Sequence, residues 1–296
     1  MENLADNLTE YQTNQLRDLL DQASTILSSD FPKISNLDFY LNKDNLIRFA
    51  IAYNWDSHEI LTKWKDWVQW HTTYQPDKIS EEEIIKEMSQ AGFLRWYKSD
   101  KAKRPCLYFR VKNYRPDIGS IEDVIRYFVF MIEQGLKEAD LYGTNKIVVV
   151  YDRRGYSKKN QDSNFFDNFK RIVTLLQNYY PERLHGLYFL GSKLFAQVVG
   201  EKSKGLISDR TREKIRILGD TQDLLEFFYK EDLTIEYGGI SECKKIGHHL
   251  ERELLSQHCG DDIVDSEDEE DDYEHLEDIM MSHVDNSKFQ TESQKA

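Results

Sequence analysis

In the first part of the chain, apolar side chains recur three and four residues apart, which is the spacing of one face of an α-helix. This spacing predicts three consecutive helices, at 13–27, 43–56 and 57–74. Pro76 ends the third, because proline has no amide hydrogen to donate within a helix. A further helix is predicted from Ser80 to Gly92, since Ser80 and Glu83 have the spacing of a capping box. We therefore expect a helical N-terminal region.

From Cys106 onward, short apolar runs alternate with amphipathic segments. The runs are rich in β-branched and aromatic residues and predict strands at 106–111, 146–152, 187–191 and 214–219. The amphipathic segments predict helices at 120–140, 165–180, 193–200 and 221–230. Strands that alternate with helices in this way predict an α/β sheet with crossover helices, following the helical N-terminal region.

Charge is distributed unevenly along the 296 residues, of which 40% are hydrophobic and able to form a core. The net charge of −14 is concentrated at the C-terminal end, where residues 261–296 contain 14 acidic and 2 basic side chains. Such a block repels itself and stays hydrated, so this acidic tail is predicted to be disordered. The rest of the chain is nearly neutral, so no nucleic acid is expected as a partner.

The cysteines and the N-terminus indicate where the protein works. Cys106, Cys243 and Cys259 are too scattered for a disulfide framework, which favours a reducing compartment. The N-terminus has neither the basic nor the apolar segment of a signal peptide. No apolar run is long enough to span a bilayer. We therefore expect a cytoplasmic protein.

Common enzyme motifs are missing from the sequence: GxSxG, GxxxxGK[ST], HExxH, and GxGxxG after a strand. A loose group near the C-terminus contains His248, His249, His258 and Cys259, but its spacing fits no ordinary zinc site. We therefore expect no catalytic residues and no metal site.

One segment combines a short apolar helix with an excess of positive charge. Leu194, Phe195, Val198 and Val199 lie on this helix, and residues 192–218 contain seven basic and three acidic side chains. One interpretation is a set of core contacts beside a solvated loop. The other is a membrane-facing helix, whose apolar side chains enter the interface while the bases meet anionic headgroups.

Several motifs together resemble the CRAL-TRIO lipid-binding domain of the phosphatidylinositol transfer proteins. "NYYPERLHGLYFL" is followed by "LFAQVVG", "REKIRILG" and "LTIEYGGISE", and preceded by "RPCLYFRVKNYRP" and "IVVVYDRRGY". The segment 44–71 resembles the helical region that precedes the domain in that family. The resemblance implies three parts: a helical region at 1–78, a lipid-binding domain at 79–245, and a C-terminal helix with the acidic tail at 246–296.

The resemblance also implies an apolar lipid cavity enclosed by the sheet and its helices. A gate helix at about 191–201 would open this cavity at a membrane, with Leu194, Phe195, Val198 and Val199 in contact with lipid. The protein would then be non-catalytic, peripherally associated with membranes, and without a cofactor other than its bound lipid.

Three residues match the family's phosphoinositide headgroup site: Glu182 of the Tyr-Pro-Glu-Arg motif, Thr211 and Lys214. A carboxylate accepts hydrogen bonds from inositol hydroxyls, and an ammonium and a hydroxyl donate to phosphate. Other positions depart from the family. Tyr53 and Asn54 replace an Arg-Lys pair, and Ile147 and Val149 replace a serine and a threonine that hold phosphatidylcholine.

These departures leave more than one function open. The chain could transfer a phosphoinositide, or it could carry another hydrophobic ligand such as a retinoid or tocopherol. It could also act as a sensor that presents a bound lipid to a signalling protein, with the acidic tail as the contact to that partner.

Overall fold

The computed structural model describes residues 4–241. Its α-helices are α1 (Glu10–Asp30), α2 (Leu37–Tyr40), α3 (Lys43–Ala52), α4 (Ser57–Tyr74), α5 (Lys86–Ala91), α6 (Ile121–Leu141), α7 (Phe165–Tyr179), α8 (Lys193–Lys202) and α9 (Asp209–Arg212). Its strands are β1 (Leu94–Ser99), β2 (Pro105–Arg110), β3 (Ile147–Asp152), β4 (Leu184–Leu190) and β5 (Ile215–Leu218). Short 3-10 helices include Glu81–Glu83, Thr221–Glu226, Lys230–Asp232 and Ile235–Tyr237.

The predicted N-terminal helices are confirmed, with ends set by local capping. Helix α1 begins at Glu10 because Thr9 and Gln12 form a capping box, in which each side chain accepts from the other's backbone amide. Helix α3 ends at Ala52, before two residues with positive φ, Asn54 and Trp55. The helices α1, α3 and α4 bury a common apolar cluster, which includes Leu19, Ala23, Ile47, Phe49, Ile60 and Trp64.

Two predicted helices differ from the structure. The capping box of Ser80 and Glu83 forms, but it closes only a 3-10 turn. Ile84 and Ile85 after it are extended, so α5 starts afresh at Lys86. This fits the low helix propensity of β-branched residues. The segment predicted as a helix at 221–230 is 3-10 helical from Thr221 to Glu226.

The sheet has the order β1-β2-β3-β4-β5, with β1 antiparallel to β2 and the other pairs parallel. Because parallel crossovers are right-handed and the order is sequential, α6, α7 and α8 all lie on the same face of the sheet. Two rows of paired residues point toward these helices: Leu107, Val149, Leu187 and Ile215, and next to them Phe109, Tyr151, Phe189 and Ile217.

The opposite face of the sheet is closed by the C-terminal 3-10 helices. Tyr108, Val150 and Tyr188 are buried there against a set of apolar side chains that follows β5, namely Leu224, Phe228, Leu233 and Tyr237. Ion pairs hold this cover at the carboxyl ends of the strands, because Arg110 and Lys112 both contact the carboxylate of Glu236 at 3.0 Å. The sheet therefore has one tightly packed face and one face that meets α6, α7 and α8.

Candidate functional site

A tight turn places Glu182 between α7 and β4. Pro181 follows the end of α7, and the amide of Arg183 donates to the carbonyl of Tyr180 at 3.3 Å. Glu182 has a φ of 56°, at the third position of this turn, where glycine or asparagine is ordinarily found. Such a conformation costs a non-glycine residue about 1 kcal/mol or more, and it is found most often at functional sites. The turn therefore fixes where the Glu182 carboxylate begins, directly before β4.

Parallel pairing brings Lys214 to the same end of the sheet as Glu182. The amide of Leu187 donates to the carbonyl of Lys214 at 3.0 Å, which aligns the starts of β4 and β5. The Nζ of Lys214 lies 3.0 Å from Oε2 of Glu182, and the Nε of Arg210 lies 3.6 Å from Oε1. Both members of the closer pair are largely buried, with side chains 9% exposed for Glu182 and 19% for Lys214. The two predicted headgroup residues thus form an ion pair.

Thr211, the third predicted residue, is connected to Lys214 through the backbone. Its carbonyl accepts from the amide of Lys214 at 3.1 Å, and its hydroxyl accepts from Ser208 at 2.9 Å. The structure therefore brings Glu182 and Lys214 together and adds Arg210, which sequence reasoning did not assign, whereas the hydroxyl of Thr211 is paired with Ser208. Arg210 could have been found as the base four residues before Lys214 in a segment rich in positive charge.

The N-terminal helical region carries a buried cation that the sequence motif did not reveal. Tyr53 and Asn54 replace the family's basic pair, and Tyr53 stacks on Phe49 with a centroid distance of 6.3 Å. Earlier in the same helix, Arg48 is only 6% exposed. Burial, followed by repulsion from Arg183, lowers the pKa of Arg48 to about 9. In the sequence, Arg48 could have been recognised as a buried cation because it lies among the apolar residues of its helix.

Behind the turn, Glu133 of α6 accepts a hydrogen bond from the hydroxyl of Tyr180 at 2.7 Å. Burial raises the pKa of Glu133, and the hydrogen bond from Tyr180 opposes the shift. The folded state therefore holds this proton more tightly than the unfolded state, and stability increases as the pH falls through the raised pKa. Glu133→Gln keeps the acceptor and removes the charge. We expect a melting temperature a few degrees above wild type at about pH 8 and equal to it at about pH 4.

Circular dichroism melts of both proteins across this pH range measure the effect. A constant difference between Glu133→Gln and wild type at every pH would contradict the assignment of the titration to Glu133.

Apolar side chains on the facing surfaces of α7 and the sheet are only partly buried. None of the residues of α7 is buried, although its inner side chains are apolar: Phe165, Phe166, Phe169, Ile172, Val173, Leu175 and Leu176 are all partly exposed. Val149, Tyr151, Leu187 and Ile215 on the facing side of the sheet are also partly exposed. Protein interiors are normally close-packed. Partly accessible apolar side chains on two facing surfaces therefore indicate room between them.

Helix α8 borders this interior and begins at a sharp turn. Gly191 has a φ of 140°, and a Cβ at this position would lie 2.9 Å from the Cβ of Arg153. Ser192 then caps the helix by accepting from the amide of Phe195 at 3.2 Å. Only glycine combines this backbone with so close an approach.

The four apolar residues predicted to touch a membrane have different orientations. Leu194 is 43% exposed, and Val198 and Val199 are partly exposed. Phe195 is only 1% exposed, with ring centroids 5.8 Å from Phe165 and 6.2 Å from Phe189. Phe195 could therefore reach a membrane only if α8 moved away from the sheet.

A second exposed apolar residue lies near Leu194. Ile217 of the edge strand β5 is 45% exposed and points toward the helix side of the sheet. The Nζ of Lys193 lies 3.7 Å from the Cβ position of Gly219, so the start of α8 is close to the end of β5. Leu194 and Ile217, the exposed apolar residues of α8 and β5, are called the mouth pair, and the exposed base Lys193 precedes Leu194 in the chain.

The range 4–241 contains neither a candidate metal site nor a candidate membrane span. No group of three or more His, Cys, Asp or Glu side chains there could hold a metal ion. No helix in the same range has the length and apolar character needed to cross a bilayer. The predicted acidic tail and the group of His248, His249, His258 and Cys259 lie outside the described residues.

The chain is thus an α/β protein in which a mixed sheet and its crossover helices face each other through apolar side chains that are partly exposed. It belongs to the CRAL/TRIO domain family, whose profile matches residues 89–239. This match confirms the resemblance seen in the sequence motifs. The predicted domain limits at 78/79 and 245/246 remain predictions.

Similar proteins support the same family. Phosphatidylinositol transfer protein SFH5 of Vanderwaltozyma polyspora is 26% identical over 201 residues, which cover 66% of this chain and 68% of that protein. Its namesake in Debaryomyces hansenii is 26% identical over 268 residues, 78% of each chain. The crystal structure of Sfh5 matches 90% of this chain and 98% of its own, with a TM-score of 0.61 at 17% identity. The predicted α/β fold is therefore confirmed.

Proposed function

We propose that the protein is a non-catalytic lipid-transfer protein of the cytoplasm that touches membranes peripherally. It takes a phosphoinositide or a related lipid into the interior between the sheet, α7 and α8, with α8 as the gate. The observation that carries this proposal is the inner face of α7, whose apolar side chains are all partly exposed. The names of the relatives as phosphatidylinositol transfer proteins support it.

The energetics of lipid transfer explain why such an interior needs a gate. Burial of an acyl chain is worth about 0.8 kcal/mol per CH2 group, so a diacyl lipid loses tens of kcal/mol on entering water. Transfer into an apolar cavity replaces one apolar environment by another and costs little. The cavity must therefore stay closed in water and open at a membrane. Phe195, buried against Phe165 and Phe189, corresponds to the closed arrangement.

The ion pair at the amino ends of β4 and β5 is the proposed headgroup site. Glu182 and Lys214 pair with each other at 3.0 Å. An inositol phosphate offers hydroxyl donors to Glu182, and phosphate oxygens to Lys214, Arg210 and the hydroxyl of Thr211. The carboxylate of Glu182 and the ammonium of Lys214 would then each replace their mutual contact by a contact with the headgroup.

A second candidate is a carrier of a ring-bearing hydrophobic ligand, such as a retinoid or tocopherol. Aromatic rings are unusually frequent along the interior. Tyr151 stacks on Phe189 at 5.4 Å and meets Phe109 edge-on at 5.0 Å. Flat rings of this kind can stack on a flat ligand. Ile147 and Val149, at the positions of the family's phosphatidylcholine-binding pair, offer no polar side chain.

Native mass spectrometry of the full chain, purified from eukaryotic cells, tests the proposal. We expect a mass increment that chromatography of the released ligand identifies as an inositol phospholipid. A prenyl-chain or ring-bearing lipid would favour the second candidate. The matched control is Val173→Trp, which fills the interior from α7 and should lose the increment while remaining folded. If wild type carried no lipid and took up none from phosphatidylinositol vesicles, the proposal would be wrong.

A further inference from the structure

Arg153 follows β3 and lies on the cavity side of the sheet. Its amide donates to the carbonyl of Leu190 at 2.8 Å, which extends the pairing of β3 with β4 by one residue. Because side chains alternate along a strand, Arg153 continues the row of Val149 and Tyr151 toward the helices. It is only 3% exposed. A cation thus lies inside the apolar interior, at the opposite end of β4 from Glu182.

The guanidinium of Arg153 lies between two aromatic rings. Its Cζ is 3.6 Å from the ring centroid of Tyr156 and 3.8 Å from that of Phe195. Tyr156 belongs to the loop after β3, whereas Phe195 belongs to α8 and is the one residue buried in that helix. The guanidinium therefore joins the body of the protein to α8. Gly191, at the turn into α8, packs against the Cβ of the same arginine.

We propose that Arg153 is a positioning residue of the gate, which holds α8 closed in water and releases it at an anionic membrane surface. This inference rests on the gate role proposed above for α8. In the closed state the planar guanidinium is stacked by Phe195 in a desolvated site, where a cation–π contact is strongest. Displacement of α8 separates Arg153 from Phe195, so the phenyl ring and one face of the guanidinium become available for new contacts, while Tyr156 stays on the other face.

An anionic membrane offers an apolar environment to Phe195 and anionic groups to Arg153. Water can hydrate the guanidinium but offers nothing to the phenyl ring. Phe195 can enter the acyl region, while the guanidinium can pair with lipid phosphate or carboxylate groups in bidentate geometry. In water the phenyl ring would be exposed, so the closed state is favoured there. An apolar residue in place of Arg153 would keep the closed contact but would gain nothing from anionic headgroups. The positive charge of Arg153 therefore allows its contact with Phe195 to open at an anionic membrane.

Hydrogen exchange of the amides of 193–202 in the full chain separates the two parts of the proposal. We compare wild type, Arg153→Met and Arg153→Lys in buffer, with phosphatidylcholine vesicles, and with vesicles that also contain phosphatidylserine. In wild type, protection should fall only with the anionic vesicles. Arg153→Lys keeps the charge but loses planar stacking, so its protection in buffer should be roughly tenfold lower. Arg153→Met should stay protected in buffer and with both kinds of vesicle.

The control is Lys170→Met, which removes an exposed charge from α7 and should behave like wild type. If Arg153→Met opened on anionic vesicles as wild type does, Arg153 would not respond to the membrane. If the amides of 193–202 in Arg153→Lys were as protected in buffer as those of wild type, the stacking contact would not be what holds α8 closed. If wild type transferred lipid while α8 stayed protected on every vesicle, the gate assignment itself would be wrong, and the inference would fall with it.

Discussion

Aspartate at both positions of the mouth pair, Leu194→Asp with Ile217→Asp, is expected to lower lipid transfer between vesicles about a hundredfold or more. Each side chain is nearly half exposed, so its insertion into a membrane interface contributes about 1 kcal/mol or more. Each new carboxylate is in addition repelled by anionic headgroups, by about 1 kcal/mol. Four such contributions together exceed 2.7 kcal/mol, which is about a hundredfold in rate. Fluorescent-lipid transfer from donor to acceptor vesicles measures the effect.

The fold should be unaffected, because both substitutions place a charge on a surface that water already reaches. A matched control changes two exposed apolar residues elsewhere, Leu141→Asp at the end of α6 and Ile235→Asp in the C-terminal cover, which are 83% and 70% exposed. The control should transfer lipid at the wild-type rate, and both double variants should keep the wild-type melting temperature. Equal loss of transfer in the two variants would show that the mouth pair has no special part in membrane contact.

The direction of Phe195 could not be predicted from its sequence window. In "LFAQVVG" apolar residues occupy so many of seven consecutive positions that they extend around most of the helix. A helical period then no longer tells which side faces the interior. In the structure Phe195 lies against Arg153 and Phe189, so its predicted contact with a membrane stays a prediction that requires α8 to move. Aspartate at Phe195 would bury a charge in this contact, so the mouth pair gives the cleaner test.

Strand β1 shows a second limit of pattern analysis. Its buried residues Leu94 and Tyr97 are three positions apart, which is not the alternation expected of a strand. The cause is that the two residues face opposite sides of the sheet: Leu94 packs with the cluster under the helices, and Tyr97 packs with the C-terminal cover. Strands β2 to β4 were predictable because their apolar runs are continuous and each is followed by a helical segment.

The proximity of Glu182 and Lys214 was predictable only through the resemblance to a family, since the two residues are distant in sequence. Parallel pairing of β4 with β5 is what brings together the residues just before each strand. Arg153 carried no signal at all, because a base after an aspartate at a strand end is ordinarily exposed. The interior contacts made by single polar side chains thus depend on strand register and on crossover geometry, and short motifs do not encode either.

Exchange of the two charges, Glu182→Lys with Lys214→Glu, is expected to restore stability but not phosphoinositide transfer. Either substitution alone places two like charges about 3 Å apart in a largely buried site, and should cost about 2 kcal/mol of folding free energy. The double variant recovers the ion pair. The side chain at 182 then presents an ammonium to inositol hydroxyls, and the side chain at 214 presents a carboxylate to phosphate, which repels it.

Thermal denaturation and transfer of phosphatidylinositol, measured on the two single variants and the double variant, separate a structural from a ligand-binding role. A purely structural ion pair would make both properties recover together in the double variant. A headgroup site leaves transfer reduced by roughly tenfold to a hundredfold after the melting temperature has recovered, since a charged hydrogen bond to the ligand is worth about 1.5–3 kcal/mol.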